Sequence, residues 1–104
     1  VRVGASYVDV IDYRLGVDLV VEFDTAGTEV VSYSLVLRLD TDAGAETVRV
    51  YDSAHGLNEM HRFTRDGGKE RGVEIHRATL GEGMRAAIEE IKRGYLAMIE
   101  GWEA

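Results

Sequence analysis

Hydrophobic and polar residues alternate through the first half of the chain, and near the end the period changes to that of a helix. In "VDLVVEFD", Val17, Leu19, Val21 and Phe23 fall on one side and Asp18, Glu22 and Asp24 on the other, the period of two expected of a half-buried strand. "TAGTE" then reads as a hairpin turn. "VVSYSLVLRLD" places Val31, Tyr33, Leu35, Leu37 and Leu39 on one face, with Ser32, Ser34 and Arg38 opposite. "TDAGAE" supplies a second turn and "TVRVYD" a third strand, with Val48 and Val50 facing inward. Strands joined by such short turns form an antiparallel meander. "SYVDVIDYR" alternates more weakly and reads as an edge strand. Val73 and Ile75 in "KERGVEIHR" point to one more strand, with "HRFTR" pairing against it across "DGGKE".

Met84, Ile88, Ile91, Tyr95, Met98 and Trp102 are spaced four, three, four, three and four residues apart. That spacing predicts a single apolar stripe on a helix of about five to six turns. "TLGE" opens it as a capping box, in which Thr79 accepts from the Glu82 amide and the Glu82 carboxylate reaches back. Glu89 and Arg93 are spaced for a surface ion pair. The helix is expected to lie across the apolar face of the sheet. The fold class is therefore α+β: an antiparallel sheet of four to six strands with one long C-terminal helix packed on one face, residues 1–104 forming a single domain. The methionines and aromatics of the stripe read as core. Ile99 and Trp102, near the helix end, also offer apolar surface for a homodimer contact.

Composition narrows the function classes. The 104 residues carry 19 acidic and 12 basic side chains, a net charge of −7, which argues against a broad electrostatic grip on nucleic acid. There is no cysteine, hence no disulfide, thiolate metal site or thiol nucleophile. No apolar run is long enough to span a bilayer, so no membrane partner is expected. "VRVGASYVDV" has no basic region followed by an apolar core, and a cytoplasmic location is expected. Proline is absent, and nothing forces a linker or a kink.

The chemistry concentrates in residues 51–68, "YDSAHGLNEMHRFTRDGG". This stretch holds two of the three histidines, with Tyr51, Asp52, Arg62 and Arg65 close by. Residues 61–77 carry five basic and three acidic side chains, a basic island in an acidic chain that fits a small anion or a limited RNA contact. Two histidines titrating near neutrality can act as general base and general acid on a ribose 2′-hydroxyl. On that reading His55 and His61 carry protons, Arg62 or Arg65 holds the phosphate, and Tyr51 and Asp52 complete the substrate contacts. A plainer reading makes "YDSAHG" a strand end with a tight turn, Gly56 supplying a positive φ and His55 bonding Asp52. A metal held by His55, His61 and Asp52, with His76 or Glu74, lacks the tight paired spacing of a zinc motif, and no metal or other cofactor is expected. "LGEG" lacks the lysine of a phosphate loop.

The pattern "RVYDSAHG…HRF…DGG…TLGEGMRAAIEEIKRGY" resembles a prokaryotic domain family of unknown function. That family in turn looks like the TumE-type toxin components of toxin–antitoxin pairs. The resemblance covers residues 46–102 and rests on Tyr51, Asp52, Ala54, His55, Gly56, His61 and Arg62. It departs where the TumE-like pattern gathers a Pro-His-His-x-His cluster: here His61 is followed by Arg62 and Phe63, with no proline. The resemblance implies a toxin-like component with an antitoxin protein as partner, acting on RNA by metal-independent ribonuclease-type chemistry. The alternative is a non-enzymatic protein-interaction module, homodimeric, that uses a free sheet edge. The residues leave the choice between enzyme and module open. Convergent, solvent-open histidines would favour the first, and a salt-bridged His55 pointing back at Asp52 the second.

Overall fold

The computed structural model describes residues 1–104. Six strands precede one helix: β1 (Arg2–Asp12), β2 (Val17–Ala26), β3 (Glu29–Thr41), β4 (Gly44–Asp52), β5 (Glu59–Arg62), β6 (Val73–Glu74) and α1 (Leu80–Glu103). The strands form one antiparallel sheet in chain order, so each pairs with its sequence neighbours. This is the α+β architecture that the two periods predict. The edge strand is longer than "SYVDVIDYR" alone implies, and β6 is shorter than "KERGVEIHR" implies.

Helix α1 lies across β3 and β4 and closes one apolar cluster. From the sheet come Val17, Leu19, Val21, Tyr33, Leu35, Leu37, Val48, Tyr51 and Met60; from the helix come Met84, Ala87, Ile91, Met98, Ile99 and Trp102. Ile99 and Trp102 are therefore core rather than dimer surface, at 8% and 3% exposure. At its start, Thr79 Oγ1 accepts from the Glu82 amide, as the capping box requires, but the Glu82 carboxylate accepts from the Thr79 hydroxyl instead of the backbone. Glu89 and Arg93 form the expected ion pair at 3.5 Å. No helix is long and apolar enough to cross a membrane.

Two irregularities change which residues face the helix. The ladder slips between Asp24 and Thr25, so Val30 and Ser32 find partners and Val31 stands between them. Val30, rather than Val31, packs against the core. A second slip sets Leu37 opposite Arg49 and Arg38 opposite Thr47. Val48 is left between these pairs and buried, while Val50 pairs with Val36 on the opposite face. Strict alternation puts Val48 and Val50 together, and the extra residue of a bulge separates them.

Asn58, 2% exposed, ties the layers together. Its Oδ1 accepts from the Tyr33 hydroxyl at 2.7 Å. Its Nδ2 donates to the carbonyls of His76 and Ala78 at 2.9 and 3.2 Å. Its backbone carbonyl accepts from the Ile75 amide. Helix residue Gly83 abuts this amide so closely that a Cβ there would overlap it. Replacing Asn58 with alanine strands a buried hydroxyl and two carbonyls, and we expect a loss of about 2–4 kcal/mol in urea unfolding. Gly83→Ala should cost about 1–3 kcal/mol in the same assay, by pushing α1 off the amide.

Candidate functional site

Alternation along β4 and β5 divides the residues of the 51–68 stretch between the two faces of the sheet. Directly opposed residues of an antiparallel pair project to the same side. Tyr51 pairs with Met60 on the helix side, and Arg62 with Arg49. Asp52 pairs with Glu59, and Val50 with His61, on the side that α1 leaves open.

On the open face Asp52, His55, Glu59 and His61 gather. Asp52 and Glu59 stand opposite each other as like charges, an arrangement that costs stability without a cation nearby. The two histidines flank them. His55 Nδ1 lies 2.6 Å from Glu59 Oε1, and His61 Nε2 lies 3.7 Å from Asp52 Oδ2. The side chain of His55 is 73% exposed and that of His61 only 9%. The β5–β6 register, continued by one residue, sets Gly72 across from His61. A Cβ on Gly72 would stand 2.5 Å from His61 Cε1 and 2.7 Å from Glu59 Oε2, so the imidazole and the carboxylate both lie against bare glycine backbone. His61 Nδ1 is buried without a hydrogen-bond partner. The turn itself follows expectation at Gly56, with φ 77°. Asp52, however, accepts from the Ala54 amide, and His55 turns to Glu59 rather than to Asp52.

The remaining residues of the expected site lie elsewhere. Tyr51 is fully buried; its hydroxyl meets Glu90 at 3.1 Å and Arg49 at 3.4 Å, so its ring has no free face for a base. Arg62 borders a groove of about 320 Å³ on the helix side, with Arg49, Glu70 and Trp102. The Arg65 guanidinium sits 6.0 Å from the centre of the Trp102 ring, a cation–π contact. Arg62 and Arg65 thus lie on the helix side, away from His55 and His61. No group of three or more histidine, aspartate or glutamate side chains is arranged to hold a metal ion. The principal surface grooves do not include His55, His61 or Asp52. Sequence reasoning passed over Glu59, the carboxylate that engages His55; its spacing of four from His55 and two from His61 was the available signal.

The arrangement can orient one exposed imidazole through a carboxylate, the geometry of a positioned proton acceptor. Ser34 stands opposite Asp52 on this face, whereas Arg62 and Arg65 lie on the helix side. Comparison with known proteins returned no matching family model, no matching curated protein and no matching solved structure.

Two outcomes follow. Gly72→Ala should lift the hairpin from His61 and speed amide hydrogen exchange in β5 and β6, at a cost of about 1–3 kcal/mol. Alkaline stability reports on the buried tyrosines. Burial, and then the charge of Asp52, push the Tyr33 hydroxyl up to about 12; burial also raises Tyr51. A phenol whose folded pKa exceeds its unfolded value near 10 adds stability below pH ~10 and loses it as pH climbs toward ~12. Urea midpoints should therefore hold to about pH 10 and then fall, with Tyr33 contributing roughly 2–3 kcal/mol.

Proposed function

We propose that this chain is a non-enzymatic protein-interaction module that takes a partner strand on the free edge of β1. The carrying observation is the asymmetry of the sheet's two edges. At one end β6 is two residues long, the blunted edge that proteins commonly use to prevent unwanted pairing. At the other, β1 runs for eleven residues and bonds only to β2. It contains neither proline nor lysine, and Val3, Tyr7, Val8 and Val10 are between 49% and 61% exposed. An extended partner adding there would gain main-chain hydrogen bonds and apolar contacts on both faces. The separation of Arg62 and Arg65 from His55 and His61 supports the same reading, because phosphate binding and proton transfer by those residues would fall on different faces.

The competing reading is the toxin-like, RNA-directed one, with an antitoxin as partner. It draws on the sequence resemblance and on the exposed His55–Glu59 pair. His55→Ala separates the two cleanly, since His55 is exposed whereas replacing the buried His61 disturbs the fold. We expect wild type and His55→Ala to leave purified RNA equally intact and to affect bacterial growth equally on induced expression at matched abundance. Tyr7→Lys with Val8→Lys should remove any growth effect. RNA cleavage or growth arrest that disappears with His55→Ala overturns the module in favour of the toxin.

A further inference from the structure

Edge strand β1 has properties that select one kind of partner. Its outer amides and carbonyls find no acceptor or donor within the chain between Arg2 and Ile11. Its charges are already answered from within. Arg2 bonds Asp24 at 3.0 Å. Lys92 reaches from α1 to Asp9 at 3.7 Å, and the Tyr95 hydroxyl donates to Asp12 at 2.7 Å. These carboxylates could otherwise act as the charges that discourage edge pairing. Between them and Arg2 lies "VGASYV", residues 3–8, with no charge at all.

We propose that the occupant of this edge is a second copy of the chain, joined antiparallel about a two-fold axis through Ser6 to make one continuous twelve-stranded sheet. The proposal rests on the strand-addition reading above and names its partner. A two-fold axis normal to the sheet keeps every residue on its own face, so only pairings that match even with even and odd with odd positions are allowed. Centring on Ser6 sets Tyr7 opposite Ala5 of the second copy, and Val8 opposite Gly4. Large residues then meet small ones on both faces, and no like charges are opposed. Centring on Tyr7 would instead pair the two tyrosines and set Ser6 opposite Val8, a register that the cross-link below distinguishes. Gly4 has its own reason to be small: a Cβ there would come within 3.0 Å of Asp24 Oδ1, the carboxylate that holds Arg2. Its bare backbone leaves room for the incoming valine. Helix α1 packs on β3 and β4, which leaves the seam free of a helix clash.

The absence of native cysteine permits a direct test. Sedimentation velocity on the 104-residue chain should give about twice 11.5 kDa. Ser6→Cys, oxidised in dilute solution, should form a covalent dimer, because directly opposed residues hold their Cα atoms about 4.5–5.5 Å apart, within the span of a disulfide. Val10→Cys should not, its two copies lying eight strand residues apart in this register, about 27 Å. Tyr7→Lys with Val8→Lys should sediment as a monomer with an unchanged circular dichroism spectrum. A monomeric wild type at several hundred micromolar overturns the proposal. It leaves strand addition by a different protein intact if expression of wild type slows growth and the same lysine pair abolishes that slowing. A dimer that survives the lysine pair, or that cross-links through position 10 and not position 6, also overturns it.

Discussion

A single neutral amide holds the two layers of this protein in place. Asn58 sits where β3, the turn before β5 and the segment entering α1 converge, and it satisfies a hydroxyl of β3 and two carbonyls of that segment at once. Buried polar groups without partners are costly, so the Tyr33 hydroxyl and the carbonyls of His76 and Ala78 confine the amide to one orientation. The helix must then start where its first turn clears that amide, which Gly83 allows by having no side chain. From there the 3.6-residue period carries Met84, Ala87, Ile91, Met98 and Trp102 over β3 and β4. The hydrophobic layer is large but non-directional; the amide gives it a position along the sheet.

That position has consequences at the far edge. A helix set over β3 and β4 sends only Lys92 and Tyr95 toward β1. They neutralise or engage its carboxylates without covering the strand. The same face that is closed over the centre of the sheet is therefore open over its first strand. On the other face a row of Val8, Val20, Val36, Val50 and His61 crosses five strands in register. Only its His61 end is buried, under the β5–β6 hairpin at Gly72. The first opening follows from a single helix being narrower than a six-stranded sheet, and the second from the helix packing on one face alone.

The β4–β5 region shows why proximity in sequence is a poor guide to a site. Along a strand, neighbours point to opposite faces, so His61 and Arg62 cannot serve one ligand from adjacent positions. The His55–Glu59 pair shares a face because a turn lies between the two residues and re-aims the first. Tyr51 looks available in the sequence and is buried, because its partner across the ladder is Met60 and its hydroxyl finds Glu90 on α1.

What could be read directly was whatever depends on near neighbours. Strand and helix periods, short turns, the Thr79 cap and the Glu89–Arg93 pair are set within a few residues, and from them the α+β meander with its C-terminal helix follows. The tertiary structure decided whatever depends on register between distant segments. The slip at Val48 sends Val50 to the far face. Gly72 meets His61 only once β6 has paired with β5. Asn58 gains its role only when Tyr33, twenty-five residues earlier, arrives beside it. The physical reason is common to all three: side-chain alternation is a local property, whereas the pairing offset that turns alternation into a face, a covered histidine or a free edge is settled by packing across the whole sheet.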